Sequence, residues 1–183
     1  THKSKCQVFI MKFNFTTFVL TSFLFVSSSC DNKITNPTND IYLSIPDSHF
    51  ETILIEQGID SDGVVNQKIL KEDAEKVSQL DLNKTSNFGE ISNLTGIEGF
   101  INIKLLSAAL HKIEAVDLSF NTKLDTLFLQ GNYLTSIDIS NNQNLVFADV
   151  QSNELSSIKG LSKATRLKKL NVSWNNLKEF SIQ

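Results

Sequence analysis

Residues 124–134 read LDTLFLQGNYL, and the same apolar pattern closed by asparagine returns as LVFADVQSNEL at 145–155 and LKKLNVSWNNL at 167–177. A weaker copy, IKLLSAALHKI, begins 21 residues upstream at Ile103, and a looser one begins at Val77. This period and pattern are typical of a leucine-rich-repeat solenoid, in which each unit forms one coil. The sequence therefore predicts about five coils of 21–22 residues over residues 77–183.

The pattern inside each unit predicts one short strand per coil. Alternating apolar residues suit a strand that buries every second side chain. About ten residues then separate the asparagine from the next leucine anchor, which is too few for an average helix of about 11–12 residues with its connections. We therefore expect a mostly β repeat of the α/β type with a parallel concave sheet. The convex side should be extended or turn-like, with a single tight helical turn within residues 156–166.

The residue that closes each unit predicts a ladder of hydrogen bonds along the solenoid. An asparagine amide supplies two donors and an acceptor, which can satisfy backbone groups where a strand ends and the chain turns. The histidine in this series is interpreted as a substitute hydrogen-bonding group, and neither as a ligand nor as a catalyst. The ladder positions are His111, Asn132, Asn153 and Asn175.

Residues 44–76 predict a helical N-terminal cap for the first coil. Asp47 or Ser48 can start a helix, Ser48 and Glu51 have the spacing of a capping box, and Gly58 can end it. A second helical turn is expected at 71–76. The apolar face that can cover the first coil consists of Phe50, Ile53 and Leu54.

The first 29 residues predict an export signal. Met11 is the better start because a basic Lys12 follows it and precedes the apolar run Phe13–Val26, which is the arrangement of a signal peptide. The run is shorter than the roughly 20 apolar residues that a membrane-spanning helix needs. We therefore expect residues 1–29 to be a signal, with residues 1–10 upstream of the true start.

Three serines precede Cys30, and the stretch resembles a bacterial lipobox, in which the cysteine becomes the acylated N-terminus of the mature protein. Two or more acyl chains anchor a protein stably. Residues 30–43 are polar, contain Pro37 and predict a flexible lipidated tether. We expect an exported protein that is lipid-anchored to the outer membrane and displayed at the cell surface, although a periplasmic orientation is also open.

Charge argues against a nucleic-acid partner. The chain has 17 basic and 20 acidic residues. Because the signal holds three lysines and no acidic residue, the mature part keeps 14 basic and 20 acidic residues. A mildly acidic surface without a basic stripe does not fit nucleic-acid binding.

Motifs for catalysis and metal binding are missing from the sequence. It contains no nucleophile elbow, phosphate loop or His-Glu-x-x-His helix, so we expect no enzyme and no cofactor. Asp60 and Asp62 precede Gly63 in the manner of a calcium loop. If Gly63 takes the sixth position, however, Gly58 and Ile69 occupy the first and twelfth, where ligands are needed. The pattern therefore favours a turn over a metal site.

The concave sheet holds the candidate binding residues. Residues that alternate with the buried ones face outward, and stacked coils place them in columns. Phe128 and Phe147 would be diagonal neighbours, and Trp174 would lie just beyond its strand. Aromatic anchors within a polar rim are typical of a recognition patch, although single exposed aromatic residues also occur without function. The predicted rim consists of Gln130, Asp149, Gln151, Lys169 and Asn171.

Three motifs carry a family resemblance: IPDSHFE at 45–51, LTGIE at 94–98 and IDISNN at 137–142. With the repeats, they make residues 45–183 resemble lipid-anchored leucine-rich-repeat proteins of Gram-negative envelopes, which are similar in fold to internalin-type adhesins. The resemblance implies binding of a protein or peptide, or adhesion, without a cofactor. A carbohydrate-recognition accessory lipoprotein and a structural envelope spacer are the alternatives. Residues 86–90 depart from the pattern as an insertion in the first coil.

Overall fold

The structure is a computed structural model that describes residues 41–83 and 89–178. The signal segment, the Cys30 lipidation site and residues 31–40 of the expected tether lie outside the described residues. No helix within the described ranges is long and apolar enough to cross a membrane. The described residues form an N-terminal cap followed by stacked coils.

The N-terminal cap contains two short strands in addition to its helices. β1 pairs with β2 in an antiparallel sheet in which Tyr42 lies opposite Leu70. The sequence predicted both helices but not this sheet, and β1 begins within the stretch 30–43 that was interpreted as a tether. The cap elements are β1 (Tyr42–Ser44), α1 (Ser48–Glu56), β2 (Lys68–Leu70) and α2 (Lys71–Lys76).

Asp47 starts α1 and also joins the cap to the first coil. Its Oδ1 accepts the backbone N–H of Phe50 at 3.1 Å, which makes it the N-cap residue. Its Oδ2 accepts the backbone N–H groups of Ser92 and Asn93 at 2.8 and 3.0 Å. Burial by itself raises the pKa of Asp47, but these hydrogen bonds outweigh burial and lower the pKa.

Glu51 has a different role from the one that its spacing predicted. The side chain is completely buried, and its carboxylate accepts the backbone N–H groups of Asn66, Gln67 and Lys68 at 2.9, 2.9 and 3.1 Å. The expected capping box is therefore wrong. Glu51 instead fixes the loop that leads into β2 against α1, because charge-assisted hydrogen bonds satisfy three consecutive backbone donors.

The coils confirm the predicted solenoid. β3, β4, β5, β7 and β9 form one five-stranded parallel sheet, and β6 and β8 form a separate parallel pair from the second half of the repeat. The helical content of the described coils is two 3₁₀ turns, Ile97–Gly99 and Leu161–Lys163. The strands are β3 (Gln79–Asp81), β4 (Leu105–Ser107), β5 (Thr126–Phe128), β6 (Ser136–Asp138), β7 (Phe147–Asp149), β8 (Ser157–Lys159) and β9 (Lys169–Asn171).

One apolar core runs through the cap and the coils, but the last described coil, which comprises residues 156–178, is less buried than the others. The anchors Ile103, Leu124 and Leu145 are fully buried, whereas the equivalent Leu167 is only partly buried. A solenoid coil gains its core from both neighbours, so a coil with one described neighbour buries less. The other partly buried apolar residues of this coil are Leu161, Leu170, Val172 and Leu177.

Candidate binding surface

Asparagine amides join successive coils where the strands of the main sheet end. The Nδ2 of Asn132 donates to the carbonyl of Ala108 in the preceding coil at 2.8 Å and to that of Leu129 in its own coil at 3.0 Å. Its Oδ1 accepts the backbone N–H of Ile113 at 3.1 Å. Each amide therefore joins two successive coils through hydrogen bonds. Equivalent bonds are made by Asn153 and Asn175.

His111 occupies the ladder position of an earlier coil and bonds in the same way. Its Nδ1 accepts the backbone N–H of Gly89 at 3.1 Å and lies 3.4 Å from that of Ile91, and its Nε2 lies 3.3 Å from the carbonyl of Leu82. An accepting Nδ1 leaves Nε2 as the protonated, donating nitrogen. Burial lowers the pKa of His111, which favours this neutral form.

A second asparagine series lies in the other half of the repeat and was not predicted. The Nδ2 of Asn121 donates to the carbonyls of Ile97 and Phe100 at 2.8 and 3.1 Å. The Nδ2 of Asn142 donates to the carbonyls of Leu118 and Asn121, both at 3.0 Å. The available signal was that both residues close the repeated Asp-x-Ser-x-Asn string. The coils are therefore fixed on two sides, which makes the concave sheet a rigid platform.

The main sheet brings Phe128 and Phe147 together. Thr126 lies opposite Phe147 and Phe128 lies opposite Asp149 in the β5–β7 pair, so the two rings are diagonal neighbours. Their centroids are 5.1 Å apart and their planes are tilted by 46°, which is a favourable aromatic arrangement. Both side chains are only partly buried. We call Phe128 and Phe147 the aromatic pair.

The polar residues beside the aromatic pair form a connected group. The Nδ2 of Asn171 donates to Asp149 Oδ2 at 3.2 Å and to Gln151 Oε1 at 2.9 Å. The Nζ of Lys169 lies 5.4 Å from the centroid of the Phe147 ring, within the range of a cation–π contact. The remaining rim residue, Gln130, has a buried Oε1 without a hydrogen-bond partner among the described residues.

Trp174 lies outside this group, three residues beyond β9. It is 83% exposed, the highest value among the large apolar side chains that the structure describes. Its φ of 56° is left-handed, as are those of Leu110, Gly131 and Ser152 at the same place in earlier coils. The turn before each ladder residue therefore imposes this conformation, which costs a bulky residue on the order of 1 kcal/mol.

Asp60 and Asp62 lie in the turn after α1. Asp62 accepts the backbone N–H of Val64 and the side-chain amide of Asn66, both at 2.8 Å, and these bonds lower its pKa. Asp60 is buried, and burial raises its pKa. Across the described ranges, no group of three or more histidine, cysteine, aspartate or glutamate side chains could hold a metal ion.

Basic residues are concentrated in the last described coil, which the overall charge had concealed. Between Glu154 and Glu179 the sequence contains six basic residues and no acidic residue. None of the six forms an ion pair with another described residue, whereas Lys112 in an earlier coil pairs with Glu90 at 2.8 Å. The six basic residues are Lys159, Lys163, Arg166, Lys168, Lys169 and Lys178.

Solved structures share this fold, although no protein family model and no curated protein matches the chain. The functional domain of InlJ from Listeria monocytogenes is similar, with a TM-score of 0.65 and 24% identity over 77% of this chain and 30% of that chain. An internalin (InlF) from Listeria monocytogenes gives a TM-score of 0.63 and 24% identity over 75% of this chain and 40% of that chain. The chain thus has an internalin-like leucine-rich-repeat fold and spans less than half the length of either structure.

Proposed function

We propose that the protein is a non-enzymatic binding protein of the cell envelope whose concave face holds a protein partner. The aromatic pair carries this proposal. Two partly exposed rings, 5.1 Å apart, lie on a sheet fixed by the asparagine ladder and beside a polar group. Aromatic anchors surrounded by polar residues are the usual centre of a protein-binding surface.

The internalin-like fold supports the proposal because a stacked solenoid offers an extended concave surface, which repeat proteins commonly use for binding. Three of the titratable groups that are buried in the described residues have structural roles, which supports a non-enzymatic function. Glu51 and Asp47 accept backbone hydrogen bonds, and His111 bridges two coils. These groups hold the backbone in place and are not exposed to a substrate.

The test of the proposal compares aromatic side chains on two faces of the molecule. The double variant Phe128→Ala/Phe147→Ala removes the aromatic pair, and Phe120→Ala removes a 60% exposed phenylalanine outside the main sheet. We expect the unmodified protein and the Phe120 variant to retain the same envelope or host protein in a cross-linking pull-down, and the double variant to lose it. Equal retention by all three folded proteins would overturn the proposal.

A glycan is the second candidate ligand, and the exposure of Trp174 favours it. An 83% exposed indole could stack on a sugar ring. The side-chain amide of Asn171, three residues before Trp174, could bind the hydroxyl groups of the same sugar. If a glycan is the ligand, the unmodified protein should bind specific glycans on a glycan array, and Trp174→Ala should abolish this binding. A structural spacer would bind in neither assay.

The location belongs to the same proposal. We place the protein at the outer membrane, exported through residues 1–29 and anchored by acylation of Cys30, because small residues precede this cysteine after an apolar run. Cys30→Ser should shift the protein from the detergent phase to the aqueous phase in Triton X-114 partitioning. If the variant stays in the detergent phase, the anchor lies elsewhere.

A further inference from the structure

A cation of the last described coil reaches the aromatic pair. The Nζ of Lys169, the first residue of β9, lies over the Phe147 ring at 5.4 Å, and Lys168 precedes it in the sequence. Both lysine side chains are exposed. Neither of them has an ion-pair partner among the described residues. The aromatic pair is therefore bordered on the β9 side by Lys169, and Lys168 adds a second positive charge at the entry to this strand.

Asp149, the carboxylate of the predicted rim, forms no ion pair with either of these lysines. Asp149 Oδ1 accepts the backbone N–H of Gln151 at 3.1 Å, and its Oδ2 accepts the side-chain amide of Asn171 at 3.2 Å. Two hydrogen bonds hold this carboxylate against the strand end, and no ion pair joins it to Lys169. A ligand that crosses the sheet from the aromatic pair towards β9 therefore meets net positive charge.

The spacing of these features fits one extended chain. Adjacent strands lie about 4.8 Å apart, so the aromatic pair on β5 and β7 and the lysines of β9 are separated by about one to two strand spacings. An extended peptide rises about 3.3 Å per residue. If an apolar side chain of the peptide lies on the aromatic pair, side chains one to three residues further along the peptide therefore lie beside Lys168 and Lys169.

The geometry points to an acidic peptide segment as the ligand of the concave face, with an apolar side chain on the aromatic pair and an aspartate or glutamate beside Lys168 and Lys169. This inference rests on the proposed function and names the chemistry of the partner. Two rings tilted by 46° offer an apolar contact for an aliphatic or aromatic side chain. They do not share the single flat plane that favours a sugar ring, so the inference commits to a peptide and not to an acidic glycan.

The experiment uses a phage library of random 12-residue peptides, selected on the full mature chain at low and at 0.5 M salt. Three proteins are compared: the unmodified chain, Phe128→Ala/Phe147→Ala, and Lys168→Glu/Lys169→Glu. A fourth, Lys159→Glu/Lys163→Glu, makes the same change in net charge on β8 and the following 3₁₀ turn, away from the aromatic pair. Thermal unfolding verifies that each variant is folded.

We expect the unmodified chain and the Lys159/Lys163 variant to select peptides with an apolar residue followed within three positions by acidic residues. The Lys168/Lys169 variant should bind these peptides about tenfold more weakly, because the two charges that steer and hold the acidic residues are reversed. Most of the difference should disappear at 0.5 M salt, where exposed charges are screened.

The possible failures are distinguishable. Peptides that depend on the aromatic pair but show no acidic preference would overturn this inference and leave the proposed function standing. Selection that depends equally on Lys159 and Lys163 would also overturn it, because net charge alone would then explain binding. Absence of any selected peptide, together with binding of polygalacturonate, would overturn both proposals in favour of an acidic glycan.

Discussion

The N-terminal cap and the last described coil differ in how their charged side chains are bonded. In the cap, the carboxylates of Glu51 and Asp47 are buried and bonded to backbone N–H groups, and Lys76 pairs with Glu72 at 3.1 Å. In the last coil, the leucines are partly exposed and the six cations have no ion-pair partner among the described residues. The charged groups of the cap thus bond within the fold, whereas the cations of the last coil form no ion pair among the described residues.

The difference follows from how a solenoid is stabilised. Each coil depends on its neighbours, so one end must be closed by a structure of another kind. The cap closes the first coil with Phe50, whose ring centroid lies 6.2 Å from that of Phe100, and with Gln57, which donates to the carbonyl of Asp81 at 2.5 Å. We therefore expect substitutions to cost more free energy of unfolding in the cap and central coils than in the last coil.

The largest effect is expected for Glu51→Ala in the cap. The change leaves the backbone N–H groups of Asn66, Gln67 and Lys68 without their acceptor, and hydrogen bonds to the carboxylate of a completely buried side chain are costly to lose. We expect a loss of about 3 kcal/mol in the free energy of unfolding, measured by urea titration. Glu154→Ala, at an exposed position in the coils, should cost less than about 0.5 kcal/mol. Similar losses for both would contradict the structural role of Glu51.

An intermediate effect is expected along the ladder, where the same substitution can be made at two depths. Asn132→Ala lies in a buried central position and Asn175→Ala in the partly exposed last coil. Asn132→Ala removes three hydrogen bonds and Asn175→Ala removes four, but water can replace them more easily at the partly exposed Asn175. We expect about 2–3 kcal/mol for Asn132→Ala and about 1 kcal/mol for Asn175→Ala. If the two variants unfold with equal free energies, the last coil is buried as deeply as the centre.

The smallest effect is a pH dependence at His111. Burial holds its pKa in the folded state below the ordinary value of 6.5, so the unfolded chain takes up a proton first as the pH falls. The contribution of His111 to stability is therefore complete above about pH 6.5 and decreases below it. In His111→Asn, which keeps a donor and an acceptor, this decrease should be absent when unfolding is measured from pH 8 to pH 5.

The variant His111→Asn isolates this pH effect, because it keeps hydrogen-bonding groups at the ladder position and removes the titrating imidazole. Parallel stability curves for the unmodified protein and His111→Asn would show that the ladder histidine is not held neutral by burial.

The strands and their register were predictable because the repeat itself encodes them. The 21–22-residue period gives every coil the same contacts, so β4, β5, β7 and β9 align in the order of the sequence. The cap was predicted only in part. β1 and β2 are too far apart in the chain for a local turn signal to announce their pairing, and the backbone donors that Glu51 satisfies follow it by 15 to 17 residues.

The candidate site, like the cap, could be predicted from the sequence only in part. The outward columns that contain Phe128, Phe147 and Lys169 follow from alternation along a strand combined with the period, and both can be read from the sequence. The tilt of the two rings, the bonds that engage Asp149 and the lack of an ion-pair partner for Lys168 among the described residues depend on which side chains meet in space. The charge count of the whole chain concealed this local feature because it averages over residues that never approach each other.

The sequence by itself determined the solenoid, because a regular period allows only one way for identical coils to share a core. Only the tertiary structure decided which polar groups form hydrogen bonds or ion pairs within the fold and which of them can instead bind a ligand. Hydrogen bonds and ion pairs act over a few ångströms, so their formation depends on neighbours that the folded chain brings together from distant parts of the sequence.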